Sequence, residues 1–525
     1  MANVAVFVGM VAVVVAVSAA ARRFGLLAPI LLVLAGVALS VVPGVPHVHL
    51  DPDVVLIGIL PPLLYVAALE MSVPAFRYNL RPIMLLAIGL VVFTALAVGF
   101  VTHAVLPGVP LAICLALGAV VAPPDAVSAT AVARRIGLPR RVVTILEGES
   151  LINDATALVL LRVSVAAAVG SAVGAGHIAL DAVVAAGGGV AIGVAGALLF
   201  GYLHRSTTDP LLDNALSLLA PFVVVLAAEL VHASGVVAVV VTGLALGHRL
   251  PTLMSAASRL QMDAFWGMVR FLLEGTVFLL VGLQLRDVVA ALDSRWPTVV
   301  GVTAAVVGTV IVARFVWVYP SAYLARLVPR VRRREPVLPV AYPTVIGWAG
   351  MRGVVTLAAA LALPLRLAGG RQYPRDLFIW LAFAVIVGTL VLQGLTLPAV
   401  ARWLGVRPDD PKDDALAEAA VQHAASRAAR DRLTELADGQ PAQVIEHLRR
   451  LTEKRSNVAW ERLGVGNGRE TPSRAYARLR REMLNAEREV FRLARDEGRI
   501  SEEVLRRAQR DMDLEESMIE RSPEP

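Results

Sequence analysis

The chain has 525 residues, 57% of them hydrophobic, with a mean hydropathy of +0.68 and a formal net charge of +7. A soluble protein of this length needs far more polar surface, so the composition excludes a string of soluble domains. The positive charge is almost all Arg, with Lys only at positions 412 and 454, and many Arg residues cap apolar runs, which points to a lipid bilayer and away from nucleic acid.

In chain order the apolar runs predict about thirteen transmembrane helices, at roughly 3–21, 26–42, 54–69, 82–106, 110–133, 143–169, 176–203, 211–232, 235–248, 265–285, 297–323, 338–366 and 377–402. Segment 235–248 is short for a span. The first run is followed by Arg22-Arg23 and preceded by no positive region, so it is expected to be a retained helix and not a signal peptide. Alternate loops carry Arg22, Arg23, then Arg77, Arg81, then Arg134, Arg135, Arg140, Arg141, and later Arg332, Arg333, Arg334. That bias places the N-terminus outside and the C-terminal tail in the cytoplasm. The lone Cys114 lies in an apolar run and gives neither a disulfide framework nor a Cys/His metal spacing.

The division expected is a transmembrane domain over 1–405 and a charged helical cytoplasmic tail over 406–525. Within the tail, apolar residues recur at helical spacing in 472–496 and 500–519, and Gly464 to Gly468 with Pro472 marks a joint. The tail carries no motif that names a partner.

A charge inside a bilayer is costly, so each is a candidate functional residue. The densest cluster is Glu147-Gly148-Glu149-Ser150-Leu151-Ile152-Asn153-Asp154, opening the sixth span. Ser150 and Asp154 are four apart and share a helix face; Glu149 and Asn153 share the neighbouring stripe. The first face offers a hydroxyl and a carboxylate, oxygen ligands suited to a hard monovalent cation. In the fifth span, Ala122-Pro123-Pro124-Asp125-Ala126 must break the helix, because neither Pro123 nor Pro124 can donate a backbone hydrogen bond. Asp125 sits at that break, where it can cap the next half-helix or join the ion site. The twelfth span is interrupted by Gly347-Trp348-Ala349-Gly350-Met351-Arg352-Gly353, with Gly350 as a second break point. Breaks in corresponding positions of two halves point to a midplane transport site between inverted repeats. Buried Arg352 needs a carboxylate, and Glu149 is the expected partner. Glu229, Glu274, Arg270 and Arg314 are read as structural or gating charges.

At these residues the sequence resembles the sodium/proton exchanger family, in its electroneutral NhaP-like bacterial branch. The resemblance covers roughly residues 5–405 and rests chiefly on Gly148-Glu149-Ser150-Leu151-Ile152-Asn153-Asp154. Leu60-Pro61-Pro62-Leu63-Leu64-Tyr65, Ala228-Glu229 with Ser234-Gly235-Val236, and Met351-Arg352-Gly353 support it. It implies an all-α polytopic fold with broken crossover helices, a homodimer, and a core domain that moves. It implies Asp154 as the proton- and Na+-binding carboxylate, Ser150 as a cation ligand, Asp125 as the unwound-helix aspartate, and Glu149, Asn153 and Arg352 as the network beside them. The Asn153-Asp154 pair implies electroneutral exchange of Na+, with Li+ or K+ as alternatives, for H+ in the plasma membrane, with no cofactor and no enzymatic activity. Where many relatives have Thr before the crossover aspartate and Pro after it, this chain has Pro124 and Ala126, which takes one hydroxyl ligand from the pattern.

Three other functions compete with this reading. An intramembrane aspartic protease would need two aspartates, which Asp125 and Asp154 match superficially, but Asn153 stands where a Gly-x-Gly is expected. A channel would need a filter loop or pore ring, and none is visible. A scaffold would have no use for the Ser150/Asp154 face.

Overall fold

The computed structural model describes residues 2–43, 52–170, 175–292, 295–327, 329, 339–461 and 471–520. Two compact units divide the chain, residues 1–408 and 409–525. Among the described residues of the first unit every regular element is a helix, as lipid requires, since a helix satisfies its own backbone donors and acceptors.

Among the described residues nine helices are long and apolar enough to cross a membrane. These are α1 (Ala2–Phe24), α4 (Leu80–Val105), α7 (Arg140–Val169), α8 (Ala175–Ser206), α9 (Pro210–Leu230), α10 (Gly235–Leu253), α11 (Ala256–Leu283), α12 (Trp296–Tyr323) and α15 (Arg375–Trp403). The other four expected spans are short or broken: α2 (Ala28–Ser40), α3 (Val54–Glu70), the pair α5 (Leu111–Val121) and α6 (Ala126–Arg135), and the pair α13 (Ala341–Trp348) and α14 (Val354–Leu361). By length alone nine of the described helices qualify, with these shorter and broken apolar helices beside them. The tenth helix is longer than its apolar run suggested, continuing through His248, Arg249 and Pro251 to Leu253.

Small residues let these helices approach closely, the packing device available where lipid is as apolar as protein. A side chain on Gly36 would meet the Leu279 carbonyl of α11, and one on Gly282 would meet the Val33 carbonyl of α2. Gly243 and Gly247 press α10 against the Tyr65 and Leu69 carbonyls of α3 in the same way. In α4 a π-helical stretch, Leu85–Leu90, widens the turn, and Trp317 Nε1 donates to the Leu85 carbonyl at 2.9 Å. Chain reversals are capped as their sequences dictate: Ser234 Oγ accepts from Val237 N at the start of α10, and Gly170 ends α7 with φ of 82°.

Among its described residues the second unit holds four helices, α16 (Pro411–Glu435), α17 (Ala442–Glu461), α18 (Pro472–Asp496) and α19 (Glu502–Glu520). The expected tail helices thus form within two residues of their read boundaries. The joint read at Gly464 to Gly468 lies outside the described residues. α18 packs on α19 through Leu484, Ala494, Leu505 and Met512 and through the forked contact of Arg480 with Glu515, at 2.7 and 2.8 Å.

Candidate ion-exchange site at the crossed helix breaks

The two broken helices meet at their gaps. Asp125 N donates to the Met351 carbonyl at 2.7 Å, tying one unwound segment to the other. A side chain on Gly353 would come within 2.8 Å of the Asp125 Cβ, so glycine is needed for this close passage.

Breaking two helices inside a membrane exposes four helix ends, each with unpaired backbone groups and a partial charge. Charged side chains meet three of them directly. At the C-terminal end of α5, Arg352 donates from Nε to the Val121 carbonyl and from Nη2 to the Ala122 carbonyl, both at 3.1 Å, and from Nη1 to the Gly350 carbonyl. At the end of α13, Arg314 Nε donates to the Ile346 carbonyl at 3.0 Å. At the start of α6, Asp125 is the N-cap: Oδ1 accepts from Val127 N at 3.2 Å, and Oδ2 accepts from Ser128 N at 3.1 Å and from Ser128 Oγ at 2.8 Å. The fourth end, the start of α14, lies against the same carboxylate through Gly353.

α7 runs beside this crossing. Asn153 Nδ2 donates to the Pro124 carbonyl at 2.7 Å, taking up an acceptor left by the break. Glu149, 1% exposed, receives Arg314 Nη1 at 2.7 Å and Nη2 at 2.8 Å in a bidentate pair. This corrects the expected Glu149–Arg352 pair. Arg352 is consumed by helix-end carbonyls, which serve as its counter-charge, and Glu149 turns instead to α12. Asn153 likewise turns to Pro124 and not to Glu149.

Asp154 is different from its neighbours. It is 7% exposed, and among the described residues no hydrogen-bond donor reaches its carboxylate. It lines a cavity of about 380 Å³ together with Ser150, Asp125, Pro123 and Pro124. The cavity runs to two ion pairs, Arg134–Glu147 at 2.8 Å and Arg270–Glu70, on the end of the bundle where the Arg-rich loops lie. A buried acid that faces a cavity walled mostly by apolar side chains, while the charges of the helix crossing are satisfied among themselves, can take a proton or a small cation.

A model of the sodium/hydrogen exchanger transmembrane region matches residues 9–403. The chain belongs to the sodium/hydrogen exchanger family. It is 38% identical to an uncharacterised Na+/H+ exchanger of Mycobacterium tuberculosis, over 98% of this chain and 96% of that one. It is 30% identical to the sodium, potassium, lithium and rubidium/H+ antiporter of Bacillus pumilus, over 78% of this chain and 62% of the other. The sodium proton antiporter MjNhaP1 of Methanocaldococcus jannaschii shares the fold, with a TM-score of 0.61 at 20% identity, over 77% of this chain and 99% of that one. The chain is accordingly a multi-pass membrane protein of the antiporter fold.

Within this family frame, the structure brings Asp154, Ser150 and Asp125 to one cavity wall, and gathers Glu149, Asn153 and Arg352 behind it with the breaks at Pro123, Pro124 and Gly350. Three residues acquire a place the sequence did not give them. Arg314 is the partner of Glu149. Glu274, on α11, lines the same cavity as Asp154 with no ion pair among the described residues. Thr356, two residues into α14, adds a side-chain hydroxyl to the cavity that Ser150 and Thr130 also line. Arg162 pairs with Glu229 at 3.7 Å, both well exposed, away from the cavity.

Proposed function

We propose that this exchanger moves one monovalent cation against one proton, electroneutrally, by competition at Asp154. Na+ is the first candidate and Li+ or K+ the alternatives, bound by the Asp154 carboxylate with Ser150 and surrounding oxygens. The supporting observation is the unsatisfied carboxylate of Asp154 on the cavity wall beside charges that are already spent. Glu149 and Arg314 cancel, and Arg352 and Asp125 offset each other across the helix breaks. At the helix crossing the charge left over is that of Asp154, so one H+ or one cation neutralises the crossing and, with Glu274 in the same state throughout, either loaded form moves at equal net charge. The empty form carries an uncompensated buried charge, which opposes movement. Competition at one carboxylate is then sufficient for coupling.

The same reading makes the protein a homodimer of the plasma membrane with the N-terminus outside and the tail in the cytoplasm, as the Arg bias of the loops supports. It requires no cofactor and includes no enzymatic step. A protease dyad is disfavoured because both carboxylate oxygens of Asp125 are occupied by donors of α6.

The test is cation-induced proton movement in proteoliposomes carrying an internal pH dye, with Na+, Li+ and K+ added in turn to wild type and Asp154→Asn. The expected result is a dye response in wild type, abolished in the variant, with no change in membrane potential. A folded wild type that responds to none of these ions between pH 6 and 9 overturns the proposal, as does an Asp154→Asn variant that still exchanges.

A further inference from the structure

α18 presents two apolar faces. One, with Leu484 and Ala494, is buried against α19. The other is a row of Tyr476, Leu479, Met483, Ala486, Val490 and Leu493, all exposed, with the five larger side chains between 43% and 62% accessible. Their spacing is three, four, three, four, three, the a/d repeat of a coiled-coil seam. A scattered set of exposed apolar residues needs no partner, but an uninterrupted seam 18 residues long does.

We propose that this seam docks on the same seam of a second copy of the chain, with the two α18 helices antiparallel. The pattern of the seam itself selects this occupant, because it is complementary to itself when reversed. An antiparallel two-fold between residues 484 and 485 sets Tyr476 against Leu493, Leu479 against Val490, and Met483 against Ala486 of the second copy. Each small or branched residue then meets a large one, and Ala486 leaves no hole. A parallel pairing would face Ala486 with Ala486 and leave a void in that layer. The antiparallel arrangement brings Arg480 beside Glu487 of the second copy on one edge and Glu482 beside Glu489 on the other, so the packing of the seam, and not its charge, sets the direction. This contact stands independently of the transport reading, since it uses no residue of the ion site.

The test is disulfide trapping of the full-length chain in native membranes. Cys114, fully buried and the only cysteine, is first replaced in a Cys114→Ala background. Single cysteines are then placed at Tyr476→Cys, Met483→Cys, Ala486→Cys and Leu493→Cys, with Arg481→Cys as an off-seam control, and oxidised with copper phenanthroline. At about 1.5 Å per residue, positions 483 and 486 each lie within ~5 Å along the axis of their own copy, whereas 476 and 493 lie ~25 Å apart. A disulfide requires Cα atoms within about 7 Å. Dimer should therefore form on the order of tenfold faster at 483 and 486 than at 476, 493 or 481, and a 476/493 mixture should cross-link where neither does alone. Equal trapping at all four seam positions would mean a parallel pair and overturn the proposal. No trapping at 483 or 486, in protein whose thiols still label with a maleimide, would overturn the docking itself.

Discussion

The Glu149–Arg314 pair makes a sharp energetic prediction, because the sequence favoured a different partner. Arg314 and Glu149 are 0% and 1% exposed and joined by two charge-assisted hydrogen bonds of 2.7 and 2.8 Å. Removing one member of such a pair leaves an uncompensated buried charge, at a cost of about 3–5 kcal/mol. Glu149→Gln should lose that amount, equivalent to about two to nearly four decades in the folding equilibrium. Arg314→Met should lose more, because it also orphans the Ile346 carbonyl, worth about 1–3 kcal/mol when buried. The double variant removes both charges of the pair and keeps only the second cost, so it should be more stable than either single. The assay is equilibrium unfolding in mixed detergent and dodecyl sulfate micelles, followed by Trp fluorescence, run as two double-mutant cycles. The cycle with Arg314 should show the larger coupling and the cycle with Arg352 the smaller. Additive losses for Glu149 and Arg314, or a larger coupling between Glu149 and Arg352, would refute the assignment.

Three further outcomes follow from the cavity. Gly350→Ala would set a methyl 2.5 Å from Arg314 Cδ and 2.9 Å from Arg352 Nη1, so it should destabilise by about 1–3 kcal/mol and abolish exchange; a fully active variant would mean the crossing is looser than drawn. Glu274→Gln removes a cavity carboxylate without touching the crossing, and should raise the apparent KM for cation from the cavity side by about threefold to tenfold while leaving kcat nearly intact; an unchanged KM sinks this role. Strict competition at Asp154 makes acid raise the apparent KM for cation, by at most about tenfold per pH unit, because one proton leaves for each cation bound, with the maximal rate recovered at saturating cation. Cation titrations at symmetrical pH values would expose a pH-independent KM, which contradicts a shared site.

The broken helices were legible because their causes are local. Pro123 and Pro124 cannot donate, and the glycines at 347, 350 and 353 weaken a helix wherever they stand, so the sequence names both gaps without any tertiary information. The shared face of Ser150 and Asp154 was legible for the same reason, being a property of one helix. The partner of Glu149 was not. Arg314 is 165 residues away on α12, and its place inside an apolar run marks it as a buried charge without naming its partner until α12 is laid against α7. Glu274 and Thr356 are similar cases, since which side of α11 or α14 meets the cavity depends on how five or more helices pack. The length of α10 was hidden by composition: His248, Arg249 and Pro251 end the apolar signal while the backbone stays helical to Leu253.

These charges also explain why the crossing tolerates only one free carboxylate. Each break exposes a positive and a negative helix end, so a crossing of two breaks is neutral in backbone terms but locally polarised at all four ends. Arg352 and Arg314 answer the two negative ends, and Asp125 answers one positive end while lying against the other. That leaves one Arg in excess, and Glu149 absorbs it through the bidentate contact. The scaffold is then complete without Asp154. Any further fixed cation in contact with Asp154 would hold it ionised and empty, and any further donor would compete with the cargo for its oxygens. A site that must release its ion to either side therefore needs its surroundings satisfied among themselves. In the first unit that condition is met by Asn153, which spends its amide on the Pro124 carbonyl one residue away from the acid it leaves untouched.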